Sequence, residues 1–218
     1  MAGSNGEEAG SDLPPGRPVW LLDVDGVINA NRPGWGGPPR KSQVWSDTDQ
    51  VPYVVRWAPA LIDRIRSLRA SAIMDIRWCT TWCLDARRLE YLWHLPPLAR
   101  AITADPMPRG PACWPLKLAA ARAVLAQGRK LVWTDDEALP PPGPLRDQLT
   151  AGGQALLIAP DANRGLQPDD LDRIESFVGA LRPYRLDEAV AARDADHLRT
   201  DTSGGGVVDL EKRRSPGQ

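Results

Sequence analysis

A chain of 218 residues with 42% hydrophobic and 25% charged residues and a net charge of −1 has the composition of an ordinary folded domain, long enough for one core plus some tail. The near-zero charge excludes a protein that attracts polyanions over its whole surface and confines any such binding to a local patch. No apolar run is long enough to span a membrane, and the opening "MAGSNGEEAGSDLPPG" lacks the basic start and apolar centre of a secretory leader.

Three cysteines, Cys79, Cys83 and Cys113, form no disulfide framework, and two histidines are too few to complete a zinc site with them. The expectation is a cytoplasmic protein with reduced, structural cysteines.

Residues 1–17 are rich in Gly, Glu, Ser and Pro and are expected to be disordered. A domain is expected over 18–184, opening with a strand at 18–24. "VWLL" reads as a buried parallel strand, yet it runs into Asp23 and Asp25, one residue apart, and then Gly26. Two carboxylates at a strand end repel each other and are costly to desolvate, so something positive is expected between them.

Residues 29–58 break the pattern with a Gly/Pro loop followed by a short β-hairpin, a flap rather than a cap domain. From there strands and helices alternate: helix 59–70, strand 72–79, helix 85–93, strand 99–103, helix 115–127, strand 130–134, a stiff "LPPPGP" loop, helix 144–151, strand 154–159 and helix 168–181. Pro115 and Pro168 sit at first-turn positions, and Asp169 and Asp170 suit the positive end of the last helix. Beyond the domain, 185–218 reads as a disordered tail with a short helix around Leu186 to Arg193. The alternation predicts an α/β fold, a Rossmann-like parallel sheet of about five strands with helices on both faces.

Ligands of open parallel sheets bind beyond the carboxyl ends of the strands, so the polar residues there are the ones to collect. They are Asp23 and Asp25 after the first strand, Thr80 and Thr81 after the second, and Asp135, Asp136 and Glu137 after the fourth; Lys117, in the first turn of a helix, reaches the same edge. Clustered carboxylates make a hard oxygen site suited to Mg²⁺. An ionised aspartate can attack phosphorus, a second acid can shuttle the leaving-group proton, and lysine and hydroxyl groups stabilise the transferring phosphoryl group.

"DVDGV", "WCTTW", "PLK" and "VWTDDEA" resemble, in order, the four motifs of the haloacid dehalogenase superfamily of phosphohydrolases, over residues 18–180. The resemblance implies Asp23 as nucleophile, Asp25 as general acid/base, and Thr80, which directly follows the strand, as the phosphate-binding hydroxyl. It implies Lys117 as the phosphate-binding lysine and Asp23, Asp135 and Asp136 as metal-binding acids, joined by the Asp25 backbone carbonyl. It further implies a HAD-like sheet with the first strand central. The segment "GLQPDDLDRIESFV" and the neighbouring tryptophans resemble small domains of this superfamily found in RNA-repair proteins. No stretch between motifs is long enough for a large cap, so the site is expected to be open to bulky phosphorylated substrates such as nucleotide or polynucleotide ends.

The resemblance thus implies a Mg²⁺-dependent phosphatase. Two rival readings are a non-catalytic phosphate-binding module on the same fold and a DxD-type glycosyltransferase; the chain length and the second acid pair disfavour the latter. Of nine tryptophans, Trp20, Trp78 and Trp133 are expected in the core. Trp35, Trp45, Trp82 and Trp114, with Arg87, Arg88 and Arg109, are candidates for the rim of the site, where indoles stack on bases. Oligomeric state has no signature in the sequence.

Overall fold

The structure, a computed structural model, describes residues 16–179. The expected N-terminal segment up to 15, the tail and the helix near Leu186 lie outside the described residues. Strand β1 (Val19–Leu22) is followed by a hairpin of β2 (Arg40–Ser46) and β3 (Val51–Trp57), then α1 (Pro59–Ala70), β4 (Asp75–Trp78), α2 (Ala86–Leu92) and β5 (Ala99–Arg100). The chain continues through α3 (Trp114–Ala126), β6 (Leu131–Thr134), α4 (Pro144–Thr150), β7 (Ala155–Ile158) and α5 (Pro168–Val178). Short 3₁₀ turns cover Thr81–Leu84, Gly110–Cys113 and Ala151–Gly153.

The main sheet has the order β5-β4-β1-β6-β7 and every pairing in it is parallel. All four residues of β1 are buried, as a strand covered on both faces must be. Trp20 and Leu22 join a core with Leu61, Ile65 and Ile174 from α1 and α5; Val19 and Leu21 join another with Ala121, Val124 and Leu149 from α3 and α4. Helices therefore cover both faces, as the alternation predicted.

Proline stands in the first turn of α1, α3, α4 and α5, where its missing N–H costs nothing. In α5 the Gln167 side chain and Asp170 complete a reciprocal capping box. Several elements are shorter than predicted. The last helix stops at Val178 because Gly179 takes a left-handed φ of 76° and caps it. The second strand of the sheet starts at Asp75, since Ala72 turns the chain with φ 54°. The strand predicted at 99–103 is a two-residue edge strand paired only to β4.

The hairpin forms its own two-stranded antiparallel sheet. Val44, Val55 and Trp57 anchor it in the core, while its tip at residues 47–50 reaches the carboxyl edge of the main sheet. Asp85, at the start of α2, holds that tip: its carboxylate accepts from the Ser46 hydroxyl at 2.7 Å and from the backbone N–H of Asp47 at 2.8 Å and Thr48 at 3.4 Å. Burial opposes the charge, but these three donors keep the Asp85 pKa below its ordinary value.

Candidate active site

Parallel register sets the site. Leu22 pairs with Trp78 on one side and Thr134 on the other, so the residues after β1, β4 and β6 emerge side by side. Asp23 thereby comes next to Asp135, and a ligand oxygen from each of Asp23, Asp135 and Asp136 lies within 4.8 Å of the others. Gly26 makes room for this. Its φ is +67°, and a Cβ there would fall 2.1 Å from Oδ2 of Asp136.

Lys117 Nζ reaches in from the first turn of α3 and donates to Oδ2 of Asp23 and Oδ2 of Asp135, both at 2.7 Å. The other oxygen of Asp23 accepts from the Val24 N–H at 2.7 Å, and that of Asp135 from the N–H groups of Glu137 and Ala138. Asp23, Lys117 and Asp135 are all buried. Burial, with Asp135 adding to it and Lys117 opposing it, pushes the Asp23 carboxyl up to about 7. Burial does the same for Asp136, up to about 6, with Asp135 and Glu137 adding to it. Desolvation works against the Lys117 charge, but its two carboxylate neighbours outweigh it and hold the pKa well above the usual lysine value.

Three carboxylates facing one ammonium leave a local excess of negative charge that a divalent cation would balance. An all-oxygen, all-carboxylate donor set suits a hard cation. The residues present therefore fit a metal at Asp23, Asp135 and Asp136.

A cavity of about 150 Å³ opens over the cluster, lined by Asp23, Asp25, Thr81, Trp114, Lys117 and Asp136 among others. Asp25 stands at its mouth, exposed, but its side chain is not part of the carboxylate cluster. Its Oδ1 accepts from Asn29 Nδ2 at 2.7 Å and its Oδ2 from Trp82 Nε1 at 2.8 Å. Any metal contact from Asp25 is thus left to its backbone carbonyl.

The tandem threonines separate. Thr80 is fully buried and its hydroxyl caps the following 3₁₀ turn, accepting from the Trp82 N–H at 3.3 Å. Thr81 is the one that lines the cavity. An adjoining pocket of about 80 Å³ shares Asp25 and Thr81 and is walled by Thr48, Asp49 and Tyr53 of the hairpin and by Arg109, which ion-pairs with Asp49.

The tryptophans also divide. Trp20, Trp78 and Trp133 are wholly buried, as expected of core residues. Trp114 lines the cavity. Trp82 is buried with its N–H spent on Asp25, and Trp35 donates to the Leu166 carbonyl at 2.8 Å instead of facing the site. Trp45 is exposed on a separate groove of about 570 Å³ between β2 and α2, beside Arg87, Arg88 and Tyr91. Arg88 is anchored there by a two-pronged contact to Asp47.

Sequence reasoning missed Asn29 as a partner of Asp25 and Asp85 as the anchor of the hairpin tip. The only trace of either was an Asx residue next to a turn. No protein-family model, curated protein or solved structure matches this chain. No helix among the described residues is long and apolar enough to cross a membrane.

Proposed function

We propose that the chain is a phosphohydrolase that cleaves phosphate monoesters through an aspartyl-phosphate on Asp23, with Mg²⁺ as its cofactor. The observation that carries the reading is the convergence of Asp23, Lys117, Asp135 and Asp136 under one cavity, with Asp25 at the mouth of that cavity.

Asp23, Asp135 and Asp136 would hold the cation, which supplies Lewis-acid stabilisation of phosphoryl oxygens when bound. An Asp23 oxygen attacks phosphorus, and the bond from phosphorus to the ester oxygen breaks as Asp25 gives that oxygen a proton. Asp25, now a carboxylate, takes a proton from water; the water oxygen attacks phosphorus, releasing phosphate and restoring Asp23. Lys117 neutralises charge on Asp23 and on the transferring group, where phosphoryl-transfer enzymes obtain most of their rate. Thr81, which lines the cavity, is the threonine proposed to bind a phosphate oxygen, while Thr80 accepts the Trp82 N–H in its turn.

With only a hairpin for a flap, the site admits a phosphate carried on a large substrate, and nucleotide or polynucleotide ends are the class proposed. The groove bearing Trp45, Tyr91 and Arg87 favours this choice, since exposed aromatic rings stack on bases and arginine forks onto phosphates.

The test is a Mg²⁺-dependent phosphatase screen over nucleotides, 3′- and 5′-phosphorylated oligonucleotides, sugar phosphates and phosphopeptides, with Asp23→Asn as control. Release of phosphate that needs both Mg²⁺ and Asp23 supports the reading. Phosphate binding without turnover would favour the non-catalytic module.

A further inference from the structure

We propose that Trp82 and Asn29 are positioning residues for Asp25, and that together they subordinate the orientation of this carboxylate to strand β3 of the hairpin. The proposal rests on the phosphohydrolase reading and names the device that aims its acid/base.

An exposed aspartate at a cavity mouth ordinarily samples several rotamers. Asp25 is exposed, yet each of its oxygens has a dedicated donor: Asn29 Nδ2 at 2.7 Å and the Trp82 indole N–H at 2.8 Å. Neither donor is free to follow a moving carboxylate. Asn29 is fixed from the other end, because its Oδ1 accepts the Arg56 backbone N–H at 2.8 Å. It is also fixed at the backbone, where its carbonyl accepts the Gly26 N–H at 2.9 Å. Trp82 is only 7% exposed, and its ring meets Tyr53 edge-on, with centroids 5.3 Å apart and planes at 74°.

Arg56 and Tyr53 both belong to β3. The two routes from Asp25 therefore end on one strand, which is not part of the main sheet. A further link runs on from Tyr53, whose hydroxyl donates to Asp49 at 2.9 Å, to Arg109 in the loop before α3.

The arrangement bears on the leaving group. Asp25 and Thr81 border both the metal-side cavity and the hairpin pocket, so an ester oxygen beside Asp25 sits at their junction. A proton can be delivered there only if the carboxyl group is aimed at it, and small misplacements of a catalytic group cost large factors in rate. An indole N–H is a donor with no acceptor capacity, so it holds the carboxylate in place and cannot itself take up the proton that Asp25 passes on.

Trp82→Phe removes the N–H and keeps a ring against Tyr53. Single-turnover release of the alcohol is measured with Mg²⁺ for an alkyl phosphate, whose leaving group needs a proton, and for 2,4-dinitrophenyl phosphate, whose leaving group does not. The expected result is a loss of about 10- to 100-fold on the alkyl ester and less than about 3-fold on the dinitrophenyl ester. In an Asp25→Asn background the same substitution is expected to add no further loss, as required of a residue that acts only through Asp25. Equal losses on the two esters, or losses that add to those of Asp25→Asn, would overturn the proposal and leave Trp82 a packing residue.

A readout independent of turnover is the indole N–H resonance that disappears in Trp82→Phe. It is expected to shift in Asp25→Asn, and an unmoved peak would likewise overturn the assignment. A wild-type chain inactive on both esters fails differently: it removes the phosphohydrolase reading itself, and the proposal with it.

Discussion

Nζ of Lys117 stands 2.7 Å from Oδ2 of Asp23 and 2.7 Å from Oδ2 of Asp135, one cation between two buried carboxylates that directly follow neighbouring parallel strands. The lysine does part of what a metal would do, and only part. What remains uncompensated governs how the protein should respond to pH, to cations and to substitution.

The first expectation concerns Asp23→Asn. In the metal-free protein the folded chain keeps a proton on Asp23 up to about pH 7, against 3.8 for the ordinary carboxyl, and on Asp136 up to about 6. Between those limits the folded state binds more protons than the unfolded one, so stability falls as pH rises from about 4 to about 7. Asp23→Asn removes the larger contribution. Thermal melts in chelator at pH 8 should show the variant more stable than wild type by roughly 1–3 kcal/mol, or about 2–10 °C for a chain of this size. At pH 4.5 the difference should shrink to a small part of this, and turnover should be absent at every pH. A stability advantage over wild type that is no larger at pH 8 than at pH 4.5 would refute this account of the crowded carboxylates.

Mg²⁺ itself should act in the opposite sense. Binding to the folded state alone stabilises by mass action, and ionised carboxylates bind better than protonated ones. Added Mg²⁺ should therefore raise the melting temperature more at pH 8 than at pH 5. Asp135→Asn should blunt this response, because it removes one of the three clustered ligands. A metal shift that is the same at both pH values would point to a site elsewhere.

Lys117→Met should behave unlike Asp23→Asn. It leaves two buried carboxylates facing each other with no cation, and breaking a buried pair by removing one partner costs about 3–5 kcal/mol. Chemical denaturation at pH 8 in chelator measures it. Mg²⁺ should recover part of the stability but none of the turnover. Were Lys117→Met as stable as wild type, the ammonium would not be compensating these charges.

The two adjacent threonines offer a sharp contrast. Thr81→Ala should raise KM for phosphate esters and leave the melting temperature within about 2 °C, since surface-facing substitutions are usually within roughly 0.5 kcal/mol. Thr80→Ala removes the cap of a buried turn and should cost about 1 kcal/mol of stability, with its effect on KM following only from that loss. The reverse pattern would return the phosphate-binding role to Thr80.

For substrate choice, a 3′-phosphorylated oligonucleotide or a nucleoside monophosphate should have a higher kcat/KM than glucose 6-phosphate. Trp45→Ala should narrow the gap for the oligonucleotide, since stacking on a base contributes about 1–3 kcal/mol. Equal or better turnover of the sugar phosphate would leave a general small-molecule phosphatase.

Much of the fold was legible because its signals are local and redundant. "VWLL" and "LVWT" are too apolar to lie anywhere but mid-sheet, and prolines at helix starts mark boundaries. The acids at the strand ends were legible because carboxylates after buried strands demand a reason. What escaped depends on the third dimension. Neighbouring residues in extended chain point to opposite sides, so nothing in "WCTTW" tells which threonine faces the cavity. Trp82 looked like a surface for stacking because the sequence shows an indole but not where its N–H is aimed. Asp85 drew no notice, because the hairpin tip it holds lies some forty residues away in the chain.

The strand order has a last consequence. Asp23, Thr81, Lys117 and Asp135 come from four separate stretches of chain, and they meet only where β1 is clasped between β4 and β6. No fragment that leaves out any part of the stretch from 23 to 135 carries all four, and fraying at the edge strands β5 and β7 leaves the central ladder whole. Any activity that depends on these four residues is therefore expected to appear and disappear with the three-strand ladder as a unit. Loss of activity on heating and loss of near-ultraviolet circular dichroism from the buried tryptophans that flank those strands should trace a single curve.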